Sequence, residues 1–408
     1  MNTPQAIAKP PPSFSPSASQ EGQAQPASRW YYLDWLRVFA LLTVFLYHIT
    51  LIFSYEPWLI KNDQLNWPMT LFDWFVELWG MPLFFVISAV GISFSLNTRK
   101  NGQFLAERFK RLFIPLLFGI FVLSPPQVYI ERITHGQFSG SFWQFLPHYF
   151  EGWYGFGGNF AWMGLHLWYL LLLFLYSLMF LSLFRYLKQS NLVPVVLHKL
   201  PWLQGELFLV VLVVFTGIIE ALVNLQPDFM GMRNMGGWSP CTYLVFFLCG
   251  YLLALNPKVL SSFERHRMST LVLGVCMALL SVILMYRYGY SSSYSIPFSF
   301  LRALTAWLWL ATLLGFARRY LGVHTPLLAQ ANQAQLPFYI LHHPVIIIVA
   351  FFLLPWNIPV AVKFLLIVLV SFGIIIGLYQ GLIRPLPPMR FLFGMKARQK
   401  RTLQDSSS

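Results

Sequence analysis

Charge is what this chain has least of. Of its 408 residues only 14 are Asp or Glu, and charged residues make up 10%, well below the roughly 25% of a soluble domain. An ordinary soluble enzyme of this length is thereby excluded. Cysteine is scarce too: Cys241, Cys249 and Cys276 all fall in apolar stretches. They offer no disulfide framework and no metal-ligand spacing, so they read as packing residues and leave the redox compartment open. Residues 1–30 are rich in Pro, Ser, Gln and Ala and lack an apolar core. That excludes a cleaved signal peptide and predicts a disordered tail, with the first apolar stretch serving as its own insertion signal. No internal repeat and no basic–aromatic motif is present, so no nucleic-acid partner is expected.

What the chain does have is apolar and aromatic residues, 57% and 18%, with a mean hydropathy of +0.59. The apolar stretches recur from Trp35 to Ile383. This predicts an all-α, polytopic membrane domain over 31–395, followed by a basic and polar tail over 396–408. Ten spans are expected, at about 35–55, 73–96, 112–132, 166–184, 206–225, 241–255, 269–287, 298–316, 335–354 and 360–383. The sixth is short and calls for extension or tilt. Pro82, Pro115 and Pro344 fall inside spans, where neighbouring helices re-satisfy the freed carbonyls. With both termini in the cytoplasm, all of the 28 Lys and Arg residues except Lys61, Arg132, Arg233, Arg287, Arg302 and Lys363 lie inside. This asymmetry favours an even number of spans. The net charge of +14 then becomes a cytoplasmic-face field suited to anionic lipid or a phosphorylated ligand.

Arg37 and His48 stand eleven residues apart in LDWLRVFALLTVFLYHITLIF. Eleven helical residues come within about 20° of whole turns and cover about 16 Å, so both side chains share one face. A cation at the inner edge and a base near mid-membrane point to a site that reaches into the bilayer. The plainer alternatives are a snorkelling anchor for Arg37 and a packed histidine for His48. Asp34 is a candidate partner for Arg37, or a carboxylate at a helix N-terminus. Glu77, about one turn below the outer edge of the second span, is expected to hold the tautomer of His48 if the two helices pack. Glu220 lies at similar depth on the fifth span.

The loop NTRKNGQFLAERFKRLFIP sets Arg108 and Arg111 at i, i+3, with Lys110 between them. Clustered guanidinium groups suit phosphate oxygens, and topology anchoring is the alternative. GLHLWYL opens the fourth span with His166 and Trp168, after an outer loop that carries Trp153 among other aromatics and several glycines. Aromatic faces stack on sugar rings; an interfacial belt is the bland reading. His342 and His343 in LPFYILHHPVII are expected about two turns from the cytoplasmic edge. Being adjacent, at most one of them should line a given cavity. Without a nearby Cys, Asp or Glu they make no metal signature.

Taken together, LDWLRVFALLTVFLYH, GMPLFFVISAVGISFSL, FLAERFKRLFIP, HLWYLLLLFLYSL and FYILHHPV, in this order over most of 31–350, resemble the acyltransferase-3 family of integral membrane proteins. LDWLR, SPPQVYIE and HLWYL bring the chain nearest to the branch that succinylates periplasmic glucans. The resemblance implies a multi-pass inner-membrane enzyme. It would move an acyl group, acetyl or succinyl, from cytoplasmic acyl-CoA to a glycan hydroxyl on the outer side. In that family the arginine–histidine pair of the first helix is a hallmark, matched by Arg37 and His48, and the basic RxxR is matched by Arg108 and Arg111.

On that reading Arg108, Arg111, Lys110 and Arg37 meet the phosphates of the donor. His48 is the general base, with Glu77 and Arg37 beside it. His166, Trp168, His343 and Trp153 contact the acceptor, and no metal takes part. Ser88 and Tyr47 are candidate oxyanion donors, and an acyl-histidine relay is the alternative to direct transfer. A transporter of a small anionic or glycan solute and a silent assembly scaffold are the competing functions.

Overall fold

The computed structural model describes residues 30–225, 235–288 and 295–396. Apart from their innermost residues, the tails expected at 1–30 and 396–408 lie outside the described residues, as does Arg233. Among the described residues the fold is all-helical, with a single isolated bridge between Trp153 and Phe160.

Eight helices are long and apolar enough to cross a membrane, and two bent pairs bring the number up to ten. They are α1 (Tyr31–Thr50), α2 (Trp67–Thr98), α3 (Asn101–Thr134), a short loop helix α4 (Phe142–His148), and α5 (Leu165–Met179) with α6 (Leu181–Gln189). The short α7 (Leu192–Lys199) follows, then α8 (Leu207–Asn224), α9 (Pro240–Leu255) with α10 (Pro257–Arg265), and α11 (Arg267–Tyr288). The last are α12 (Ile296–Tyr320), α13 (Pro326–Leu353), α14 (Val360–Ile383) and the short α15 (Pro387–Leu392). Their number and order agree with the hydropathy reading, because length and apolarity are local properties of the sequence.

Two spans differ from expectation. The short sixth is neither extended nor merely tilted: after Asn256 and Pro257 the chain turns by 96° into α10. Proline suits the first turn of a new helix and cannot continue the old one. The ninth begins at Pro326, not at 335, because Thr325 caps it by accepting from the Leu328 N–H at 3.1 Å. A side-chain cap satisfies one of the first-turn N–H groups that have no carbonyl partner inside the helix. His342 and His343 therefore lie about four and a half turns inside α13, counted from its first residue.

Burial separates centre from periphery. The apolar windows of α13, α12 and α2 are 72%, 67% and 61% buried, while those of α11 and α14 are 17% and 22% buried. The first three form the middle of the bundle, and the last two offer their side chains outward, as lipid-facing helices do. Glu220 of α8 is consumed in this frame. It pairs with Arg302 of α12 at 3.3 Å and accepts from Thr242 of α9 at 2.6 Å.

Candidate active site

Four histidines meet at the centre of the bundle. His48 comes from the last turn of α1, His342 and His343 from the middle of α13, and His166 from the single 3₁₀ turn that opens α5. The ring of His48 lies 5.0 Å from that of His342 and 4.8 Å from that of His343. His166 stacks on His343 at 4.6 Å and stands edge-on to His342 at 5.1 Å. The expectation that only one of the adjacent α13 histidines could serve a cavity is corrected. His48 packs against the seam between them, so a step of 100° around α13 does not separate them.

Pro344 explains why His166 belongs here. A proline lacks the N–H that would bond the carbonyl four residues earlier, which is that of Ile340. His166 Nε2 lies 3.2 Å from that oxygen. The Tyr339 hydroxyl returns the connection, donating to the His166 carbonyl at 2.5 Å.

The partners also assign the tautomers. A carbonyl only accepts, so a ring nitrogen facing one carries the hydrogen. His48 Nδ1 faces Val44 O at 2.9 Å, and His342 Nδ1 faces Tyr339 O at 2.6 Å. The lone pair of His342 is then on Nε2, 3.3 Å from His48 Nδ1, and shares its hydrogen. The lone pair of His48 is on Nε2, which has no partner among the described residues and is not sealed; the residue is half-buried. His343 Nδ1 donates to Gln127 Oε1 at 2.5 Å, and that amide is held by its own Nε2 donating to Leu123 O at 2.6 Å. His166 keeps a buried, unpaired lone pair on Nδ1. The cluster is thus a set of imidazoles each held in one tautomer, with basic nitrogens left over. Among the described residues no three His, Cys, Asp or Glu side chains form a set that could hold a metal ion.

Glu77 takes a different place from the one expected. It accepts from the Tyr47 hydroxyl at 2.9 Å, next along the chain from His48, while the imidazole of His48 is oriented by Val44 and His342. Tyr47 is correspondingly engaged. Trp168 is buried between Phe85 and Tyr243, with ring separations of 6.3 and 5.1 Å, and presents no free face. Trp153 is 58% exposed in the loop before α5, against Trp162 at 5.4 Å.

Sequence reasoning passed over His342, Gln127 and Tyr339 as members of this cluster. Gln127 had a usable signal, an amide inside SPPQVYIE at a membrane helix end, since a polar residue at that depth must find a partner.

The basic set lies along α1 in the other direction. Arg37 donates to Asp34 at 3.0 Å and to the carbonyl of Ile87 at 3.1 Å, and it lies against Gly91. An added Cβ at Gly91 would stand 2.9 Å from its Nη2, so any larger residue there would make the guanidinium shift. Arg37 is within electrostatic reach of Arg108, Arg111 and the Tyr169 hydroxyl, and Arg108 is within reach of the last two. Arg108 stacks on Phe104 at 4.8 Å and makes no hydrogen bond among the described residues. Arg111 reaches Glu107 at 3.6 Å, a carboxylate that Arg99 already holds at 2.7 Å. Lys110 is exposed. Arg111 and Lys110 sit in a π turn, Phe109–Phe113, just before Pro115. A wider turn relieves the clash of a proline ring with the preceding carbonyls.

Between the basic set and the histidines runs a strip of hydroxyls. Tyr169 shares a hydrogen bond of 2.7 Å with Ser88 and faces Tyr339 at 5.9 Å, which in turn touches His166 and His342.

Known proteins resemble this chain along most of its length. A family model described as an acyltransferase domain matches residues 30–380. Glucans biosynthesis protein C of Salmonella typhimurium is 26% identical over 391 residues, covering 92% of this chain and 97% of the relative. The proteins of that name from Salmonella heidelberg and Salmonella typhi are each 26% identical over 386 residues, covering 91% of this chain and 96% of each relative. No solved structure matches. A match along most of the chain makes this protein a member of the acyltransferase-3 family, an acyl-group transferase built from membrane helices.

Proposed function

We propose that this enzyme moves an acetyl or succinyl group from acyl-CoA, bound at the cytoplasmic face of the inner membrane, to a hydroxyl of a glycan on the outer side, with both termini in the cytoplasm. The observation that carries the reading is on one helix. α1 bears at one end a guanidinium within electrostatic reach of Arg111 and of Arg108, which makes no hydrogen bond among the described residues, and about 16 Å away an imidazole with a free Nε2. The name of the similar proteins supports a glycan acceptor.

The phosphates of the donor bind Arg108, Arg111, Lys110 and Arg37. A guanidinium without hydrogen-bond partners, as at Arg108, gains most from a polyanion. The pantetheine arm follows the strip of Tyr169 and Ser88 toward the histidines. His48 Nε2 takes the proton of the acceptor hydroxyl as its oxygen attacks the thioester carbonyl. The resulting imidazolium is stabilised through Nδ1–H by the Val44 carbonyl and His342 Nε2. The tetrahedral intermediate collapses, the C–S bond breaks, and the proton on His48 Nε2 passes to the departing thiolate. His343 and His166 border the same space and are assigned to the acceptor. Trp153 is assigned to sugar contact on the loop. The Ser88–Tyr169 pair is the candidate donor set for the oxyanion.

The test is direct. Purified protein incubated with acetyl-CoA or succinyl-CoA and gluco-oligosaccharides should add the mass of one acyl group per transfer and release free thiol. His48→Ala should remove this while leaving an inserted, folded protein. Undiminished transfer by His48→Ala would refute the base. Movement of solute across liposomes without covalent transfer would refute the reaction.

A further inference from the structure

The loop between α3 and α5 builds its own small core, in which Phe145 and Tyr149 pack with Val128 and Ala161. Tyr149 ties it to the membrane domain by donating to Ile120 O at 2.7 Å. Beside this core is an open polar pocket of about 400 Å³, walled by Arg132, Gln137, His148, Glu151 and Asn159 over Phe138 and Phe145. None of these residues serves the reaction described above.

The wall is preformed. Arg132 donates to Asn159 Oδ1 at 2.8 Å, to Gly158 O at 3.0 Å and to Gln137 Oε1 at 2.9 Å. His148 meets Glu151 at 2.9 Å. The backbone behind them is pinned by Asn159 N–H donating to Glu151 O and Phe160 N–H to Gly152 O. Gly158 approaches Gly152 so closely that a Cβ there would lie 2.1 Å from the Gly152 carbonyl carbon. Little ordering is therefore left for a ligand to impose.

The chemistry of the wall selects the ligand. Arg132 and Asn159 are spent within the wall, while the Gln137 amide, the His148 imidazole and the Glu151 carboxylate on the exposed side keep donors and acceptors of the planar kind that vicinal hydroxyls need. The ring of Phe138 supplies an apolar platform beneath. An anionic ligand fits less well, because Arg132 is already offset by Glu131 at 3.5 Å and Glu151 stands on the rim. The pocket and the histidine cluster are tied to the same helix. α3 holds Gln127 against His343 and carries Arg132 five residues on, about a turn and a half further along the helix.

We infer that this pocket is an anchoring subsite for a neutral hexose unit of the acceptor glycan, holding a sugar that does not react while a hydroxyl elsewhere on the same chain reaches His48. The inference rests on the glycan-acceptor reading above.

The experiment uses full-length protein in detergent carrying His48→Ala, so that binding is measured without turnover. Gluco-oligosaccharides of two to six units are titrated calorimetrically against this protein and against the same chain with Gln137→Ala and Glu151→Gln added. Both positions are exposed, so folding is expected to survive, and circular dichroism checks it. Binding of the longer oligosaccharides should weaken about tenfold, the factor carried by one or two lost hydrogen bonds. In the His48 enzyme the two substitutions should raise the acceptor KM by the same factor and leave kcat and the donor KM unchanged. Equal affinity with and without the two substitutions, while transfer to gluco-oligosaccharide proceeds, would overturn the subsite and leave the function standing. Acyl transfer to a non-sugar acceptor with no oligosaccharide binding at all would overturn both.

Discussion

The two ends of α1 are built on opposite principles. At the His48 end every imidazole makes a hydrogen bond with a defined partner, and three of the four rings are buried. At the Arg37 end one carboxylate, Glu107, is shared by Arg99 and Arg111, and Arg108 rests on an aromatic ring with no hydrogen bond among the described residues. A group that must transfer a proton in one direction gains from a fixed orientation. A group that must accept and release a polyanion gains from having little else to hold. On the proposed reading, the fixed end suits proton transfer and the loosely held end suits donor binding.

Substitutions at the two ends should therefore separate kcat from KM. His48→Ala should lower kcat about 10²- to 10⁴-fold, the range of general-base help, with the donor KM little changed in a steady-state assay. A loss confined to KM would erase the distinction. Arg108→Ala should do the reverse. Donor KM should rise about 10- to 100-fold, as expected for lost hydrogen bonds to a charged group, with kcat within a few-fold. Arg108→Lys should recover only part of this, because an ammonium lacks the planar fork.

His342→Phe tests the orienting role. It removes the acceptor 3.3 Å from His48 Nδ1, and kcat should fall about tenfold, in the range for groups that orient others. The acidic limb of the pH–rate profile should move as well, which a packing defect alone would not cause. Gly91→Ala should have the smallest effect. Its Cβ, 2.9 Å from Arg37 Nη2, would push that side chain aside and raise donor KM a few-fold, an amount typical of one adjusted surface contact.

Much of this enzyme was legible in the sequence, and the misses share a cause. Arg37–His48 could be placed on one face because helical periodicity is local. Glu77 was given to His48 because the two lay at similar depth, yet depth says nothing about rotation around the helix axis, and Tyr47 intercepts the carboxylate. His342 was set aside for being next to His343, a rule that holds for a flat neighbour and not for a ring wedged between both.

Hydropathy and motif order were enough for the membrane class, the helix order and the family, since each depends on residues close together in the chain. The tautomer-locked histidine cluster was decided only by packing. His48 meets His342 across 294 residues and His343 meets Gln127 across 216. A buried polar group binds whichever partner the fold brings within 3 Å or so, and no local pattern records which one that is.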